Sequence, residues 1–507
     1  VVPHWGRIPG ALAGLAAVVC CAGCAGVDAR PDFRRARDLI AGRTGAAGVY
    51  DPSEAALVEE RVTRALADGL TIDEAVSVAL LNNPSFQAAF NEIGVSRAEL
   101  VQSGLLTNPT ASLALQFPEG GGRAKLNAGL AQELVDLWQI PIRKKIAQAR
   151  LEEAILRTAA QGVALASQVK SAYYRVLGLR QGQAILHENV SLAEQSVALA
   201  DARLRAGEIS RVEVTLALEG LLEARMAALS IRREVDQAEA DLARLLGRPE
   251  LPSPVPLVDP LPEPRKLPHD PAELVRWAAR QRFDAQAALA RLAAAEHELR
   301  RQYLNVVPSV TAGAELERNE RRALPGRKVL ADTARESIAQ GRPAAPAIQS
   351  RGQRALERRL EIDAVIGPTL QATVPLWDQN QAQIAKADYG RNRQAVEALM
   401  ADIVQDVRRA ATAYASAAEV VEFYRTEALP LAAENLEASQ RLFQEGQEGV
   451  LVLMAAQQAF LQQRRAWAQA CQDFAVAAAE LERAVGGRLP SAESSRPAGV
   501  TTRPAGP

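Results

Sequence analysis

Residues 70–115 read LTIDEAVSVALLNNPSFQAAFNEIGVSRAELVQSGLLTNPTASLAL, and residues 269–316 read HDPAELVRWAARQRFDAQAALARLAAAEHELRRQYLNVVPSVTAGAEL. At a constant offset of 199, Glu74, Ala88, Ala89, Glu99, Leu100 and Pro109 fall on Glu273, Ala287, Ala288, Glu298, Leu299 and Pro308. Further on, at an offset of 238, Ile146, Ala147, Val169, Ala172, Arg203 and Leu204 fall on Ile384, Ala385, Val407, Ala410, Arg441 and Leu442. The chain therefore carries one plan twice, and the change of offset locates an insertion between the matched stretches.

Each copy reads as helix, strand pair, very long helix, tight turn and helix. Residues 143–206 and 381–444 contain no proline except Pro430, and each would extend roughly 95 Å as a continuous helix. Leu186, Val190, Ala193, Val197, Ala200 and Leu204 recur at alternating spacings of four and three, and Leu429, Leu436 and Phe443 recur every seven. That is the seam of a coiled coil between helices too long to be buried in one compact domain.

The strand segments are short and alternate. Ala111, Leu113, Leu115 and Phe117 share a face against Thr110, Ser112, Ala114 and Gln116, and Leu126, Ala128, Leu130 and Leu134 oppose Lys125, Asn127, Gly129 and Glu133. In the second copy Val310, Ala312, Ala314 and Leu316 oppose Thr311, Gly313, Glu315 and Glu317, and Leu370, Ala372 and Val374 oppose Thr369, Gln371 and Thr373. Both a membrane barrel and a half-buried soluble sheet give this alternation. Four strands cannot close a barrel, and an open sheet edge is not tolerated in hydrocarbon, so strands that span a membrane here require several copies of the chain.

The expected division is a signal peptide over 1–23, an N-terminal lipid-anchored leader over 24–67, a first repeat over 68–247 with strands 110–117 and 124–134, a linker over 248–270, a second repeat over 271–486, and a disordered tail over 487–507. Strands 309–317 and 366–376 of the second repeat flank a charged insertion, 318–365. The signal peptide is read from Arg7, the apolar run from Ile8 to Val19, and Cys21-Ala22-Gly23-Cys24, a small-residue cleavage site after an apolar stretch too short to span a bilayer. The tetrad resembles a lipobox, which makes Cys24 the lipid attachment residue; a plain cleaved signal is the alternative. The linker is proline-rich and breaks the helical path.

Acids (60) and bases (59) nearly balance, so no basic patch points to nucleic acid. His4, His187, His269 and His297 are scattered, no cysteine or histidine cluster has ligand spacing, and Gly120-Gly121-Gly122 lacks the Lys-Ser or Lys-Thr of a phosphate loop. No catalytic constellation, cofactor site or metal site is expected, and energy for any transport must come from a partner.

The duplicated plan, the entries Asn108-Pro109 and Val307-Pro308, LTIDEAVSVALLNNPSFQAA, and VPLWDQNQAQIAKA at 374–387 resemble TolC-type outer-membrane efflux proteins, nearest to their lipoprotein branch for drug or heavy-metal export. The resemblance implies an α+β membrane protein. It would be a homotrimer in which four strands per chain complete a transmembrane β-barrel and the helices form a coiled-coil tunnel into the periplasm. It implies a passive export conduit in the outer membrane for small molecules or metal ions, served by a periplasmic adaptor and an inner-membrane pump. The turns matching the family's hairpin tips supply the adaptor contacts: Arg203, Leu204, Gly207, Glu208 and Ser210, and Arg441, Leu442, Gly446 and Glu448. Gly207 and Gly446 also read as helix C-caps. Where some members carry acidic rings, this chain has Gly449-Val450-Leu451-Val452-Leu453, which makes Val450, Leu451 and Leu453 a candidate apolar gate. The competing reading is a lipid-anchored periplasmic coiled-coil scaffold or adaptor without a pore, which leaves the duplicated strand pairs unexplained.

Overall fold

The computed structural model describes residues 26–67, 69–117, 125–251, 253–267, 269–305, 308–320, 339–341, 362–375, 378 and 380–489. The expected signal peptide, Cys24, most of the 318–365 insertion and nearly all of the tail lie outside the described residues. The helices of the first half are α1 (Arg30–Thr44), α2 (Val58–Ala67), α3 (Ile72–Asn82), α4 (Pro84–Ser103), α5 (Asp136–Arg205) and α6 (Arg211–Leu245). Those of the second are α7 (Pro271–Gln281), α8 (Phe283–Leu304), α9 (Gln381–Phe423), α10 (Leu429–Gln444) and α11 (Val450–Val485). Strands β1 (Thr110–Gln116), β2 (Lys125–Glu133), β3 (Ser309–Glu320) and β4 (Ile362–Thr373) form one antiparallel sheet in the order β1-β2-β3-β4. The second strand pair therefore runs further toward its connecting segment than the alternation alone suggests.

Two compact units result. One combines the chain up to Glu99 with Gln148–Ala293 and the part from Arg391 onward; the other combines Leu100–Ala147 with Ala294–Gly390 and holds the sheet. Among the described residues no helix is long and apolar enough to cross a membrane.

Local chemistry sets the helix ends. Thr71 and Glu74 form a reciprocal capping box at α3, and Ser210 and Glu213 form another at α6, each satisfying backbone N–H groups that a helix start leaves unpaired. Asp270 caps α7, with Pro271 at the first helical position. A π-helical segment, Tyr424–Ala428, joins α9 to α10 directly before Pro430. Proline lacks the N–H that would bond four residues back, and a π turn accommodates its ring without breaking the long helix.

In the helical unit Leu274, Ala278, Ile403, Val407, Phe474 and Leu481 belong to one buried cluster. The leader segment joins this unit's packing: Ile40 of α1 is fully buried and its side chain comes so close to Gly162 that an added Cβ there would lie 3.1 Å from it. Phe90 meets Phe33, Tyr50 and Phe86 in ring contacts. Among the described residues no helix runs between Leu246 and Asp270, and this segment is pinned. Leu70 and Leu257 form a parallel bridge, and the Tyr173 hydroxyl donates to Leu70 O at 2.8 Å and accepts from Asp259 N–H at 3.1 Å.

Candidate functional site

The sheet register decides what its faces offer. Leu113 stands opposite Ala128, Leu115 opposite Leu126, and Ala111 opposite Leu130. Ala128 in turn faces Leu316, and Leu130 faces Ala314. Leu316 faces Ile366, and Ala312 faces Leu370. Residues paired across antiparallel strands project to the same side, so these apolar positions of all four strands gather on one face, while Val365 of β4 lies on the other. Ser112, Asn127, Glu315, Glu317, Thr369 and Gln371 lie on the other, where Lys125 pairs with Glu317. The apolar face is bare: Leu370 is 76% exposed, and Leu113, Phe117 and Ile366 are comparably open. Burying a leucine or isoleucine side chain is worth about 1.5–3 kcal/mol, so a contiguous apolar face of this kind needs lipid or protein against it.

The strand-to-helix junction of the sheet unit is fixed by Asp136. Its carboxylate, 1% exposed, accepts from Thr107 N–H and pairs with Arg143 at 2.8 Å. Burial favours the neutral acid, but the Thr107 hydrogen bonds and the Arg143 charge outweigh it and hold the carboxyl below its ordinary range.

The helical unit ends in two matching tips. At the first, Gly207 N–H donates to Leu204 O and Glu208 N–H to Arg203 O, both at 3.0 Å, with Gly207 at φ +80°. At the second, Gly446 N–H donates to Phe443 O at 3.1 Å and Gln447 N–H to Leu442 O at 2.9 Å, with Gly446 at φ +75°. This is the same Schellman closure twice, and glycine supplies the left-handed conformation at no steric cost. Ser210 then caps α6, whereas Gly449, at the corresponding place before α11, offers no side-chain cap. The closures align Gly207 with Gly446, an offset of 239, so Arg203 corresponds to Leu442 and not to Arg441 as the offset of 238 suggests. The π segment lies between the two offsets, as a single inserted residue in a helix requires.

Arg203 joins the tips. Its guanidinium lies 4.2 Å from the centroid of the Phe443 ring, donates to Phe443 O at 2.8 Å and pairs with Glu208 at 3.3 Å. Phe443 also packs with Leu436 and Leu453.

The sequence matches the profile of the outer membrane efflux protein family over residues 75–248 and 274–487, most of its length and both repeats. The chain belongs to the outer membrane efflux protein family. Solved structures share the fold at low identity. CusC, whose structures concern folding and transmembrane channel formation, aligns at 17% identity and a TM-score of 0.65 over 84% of this chain and 94% of its own. A membrane protein from Pseudomonas aeruginosa aligns at 20% and 0.62 over 82% and 93%. The open-state MtrE outer membrane channel of Neisseria gonorrhoeae aligns at 18% and 0.62 over 82% and 89%. No curated protein matches the sequence. Efflux proteins of this family are conduits and not catalysts, so the chain is not an enzyme.

Within this efflux protein the residues singled out by sequence fall into three groups. Arg203, Leu204, Gly207, Glu208 and Ser210 lie together at one tip, and Arg441, Leu442, Gly446 and Glu448 at the other, with Glu208, Arg441, Leu442 and Glu448 exposed. Leu451 is 57% exposed in the first turn of α11, and Val450 is its first residue. Leu453 is 4% exposed and fills the core beneath Phe443. The Arg203–Phe443 contact, which spans 240 positions, carries no signal in the sequence beyond the heptad place of Phe443.

Proposed function

We propose that the chain is one subunit of a homotrimeric channel through which an energised partner exports small molecules or metal ions across the outer membrane. The two-faced sheet carries this reading. Its apolar side suits lipid, its polar side suits a water-filled lumen, and its unclosed edges call for neighbouring copies, twelve strands in a trimer. The subunit conducts passively. A periplasmic adaptor docks on the exposed tip residues of both hairpins, and the coupled inner-membrane pump supplies the work. The lipoprotein assignment places an acyl anchor in the outer-membrane lipid at Cys24. Leu451, with Val450 beside it, is the apolar constriction of the tunnel end, and Leu453 supports it from below.

Reconstitution of the purified full-length protein in planar bilayers tests the reading. Discrete conductance steps from a trimer, enlarged when Leu451 is replaced by Ser, are expected. A folded trimer that never conducts would mean a scaffold.

A further inference from the structure

One end of the sheet carries a surface that conduction does not use. Six large apolar side chains stand exposed where strands give way to helices: Leu105 and Leu106 before β1, Leu137 and Trp138 at the start of α5, and Tyr303 and Leu304 at the end of α8. β1 and β3 begin and β2 ends beside them, so they border the sheet at a single end. Polar contacts tie the three segments together. Arg143 donates to Leu105 O at 3.2 Å, the Lys144 stem runs so close to Gly104 that a Cβ there would lie 3.4 Å from it, and Gln139 donates to Asn305 Oδ1 at 2.8 Å.

Along α5 the exposed face changes character. At 3.6 residues per turn, Leu137, Trp138, Pro141, Lys144 and Lys145 share one side of the helix, and all five are exposed, whereas Asp136, Ile146 and Ala147 on the opposite side are buried. Leu137 and Trp138 lie next to the sheet. The two lysines follow seven residues later, about 10 Å further along the axis, and among the described residues no acid pairs with either. A surface for a partner helix would separate apolar from charged residues around the axis. Here they separate along it, apolar first and basic after. That order matches the passage from hydrocarbon into a headgroup layer about 5–8 Å thick, where aromatic and basic side chains anchor and a lysine stem can reach back to place its ammonium. The second repeat carries Ala382 and Gln383 where the offset of 238 places Lys144 and Lys145, so the shared helical plan does not itself require the lysines.

We propose that Lys144 and Lys145, together with Leu137 and Trp138, form a binding site for an anionic phospholipid of the periplasmic leaflet. The two ammonium groups hold the charged headgroup, and the leucine and tryptophan lie against the upper acyl chains. The site rests on the reading that the sheet crosses the membrane, and it adds selectivity for lipid charge.

Native mass spectrometry of the full-length protein in detergent, with phosphatidylglycerol and phosphatidylcholine supplied in equal amounts, tests the site. Each lysine facing an anionic lipid contributes about fivefold in affinity, so wild type is expected to retain phosphatidylglycerol over phosphatidylcholine by roughly thirtyfold. K144Q/K145Q is expected to lose the preference and K144R/K145R to keep it. Conductance of the same proteins in planar bilayers of phosphatidylcholine separates the site from the membrane reading beneath it. A protein that conducts but retains both lipids equally, or whose preference survives in K144Q/K145Q, would overturn the site and leave the channel standing. A protein that shows no preference and never conducts would overturn both.

Discussion

Arg203 holds its guanidinium 4.2 Å from the centroid of the Phe443 ring and donates to the same residue's carbonyl at 2.8 Å, so one side chain ties the tips of the two hairpins together. A cation over an aromatic face contributes about 0.5–2 kcal/mol, and a hydrogen bond from a charged donor about 1.5–3 kcal/mol. Separating the tips to widen a tunnel must break both. Arg203→Ala is expected to shift the channel toward its open state by about tenfold in open probability, equivalent to about 1.4 kcal/mol, with Arg203→Lys intermediate. Single-channel recording checks it, and wild-type gating in Arg203→Ala would exclude a latch at this contact.

The tips also make a stability prediction that separates backbone from packing. A Cβ at Gly207 meets nothing within 4 Å, and at Gly446 only the Arg203 guanidinium at 3.9 Å, so alanine at either site pays for its left-handed φ alone. That cost is about 1–2 kcal/mol. Gly207→Ala and Gly446→Ala should therefore lower the denaturation midpoint by similar amounts. A much larger loss at one would mean that a neighbour occupies that space in the assembly.

How much of this was legible follows from what each feature requires. Alternation along 110–117 and 309–317 needs only neighbours in sequence, and it identified the two strand faces; the register that aligns Leu316 with Ile366 across the sheet does not. The repeat was visible as matched residues, but the one-residue slip that aligns Arg203 with Leu442 instead of Arg441 was not. It comes from a π segment that no short pattern marks, apart from the nearby Pro430. Leu453 looked equivalent to Leu451 because both are apolar beside a glycine turn. Helical geometry then turned one outward and the other under Phe443, and the Arg203–Phe443 contact joins residues from different repeats whose pairing only the packed hairpins define.

An ion pair between the half-buried Arg180 and the buried Glu239 holds the linker against the first hairpin. Glu239, 2% exposed, accepts from Arg180 Nη2 at 2.5 Å and from the Ser253 hydroxyl at 2.6 Å, and Arg180 also donates to Val255 O at 2.6 Å. Removing one partner of a buried pair strands the other charge and costs about 3–5 kcal/mol, whereas replacing both with apolar groups can be nearly neutral. Arg180→Met alone should destabilise strongly, and Arg180→Met with Glu239→Leu should recover most of the loss in a denaturant titration. Equal loss in both would mean that the carbonyl and hydroxyl contacts dominate.

Asp136 gives the sheet unit a defined acid limit. Its folded-state pKa is depressed by Thr107 and Arg143, so its contribution to stability is fully present above the unfolded value of about 3.9 and is lost as pH falls through the lower folded value. At neutral pH Asp136→Asn should cost stability, because the charge facing Arg143 is gone. Below that lower folded value the two proteins should converge. Thermal unfolding of wild type and variant between pH 7 and pH 2 measures the gap, and a constant gap across that range would remove titration of Asp136 from the acid response.

The strongest test of the sheet's orientation uses two neighbours on β4. Val365 and Ile366 are both exposed β-branched residues, but Ile366 shares the face of Leu316 while Val365 shares that of Glu317. The same substitution, each to Lys, therefore removes similar apolar surface from opposite sides. Facing lipid, a lysine near mid-strand costs about 2–4 kcal/mol; facing the lumen it remains hydrated and acts on passing ions. Ile366→Lys is expected to lower the heat resistance of the detergent-extracted trimer. Val365→Lys should leave heat resistance near wild type and shift the reversal potential in a salt gradient toward anions. If the two effects were exchanged, the apolar face would line the pore, and if both variants matched wild type in both measurements, the sheet would not cross the membrane.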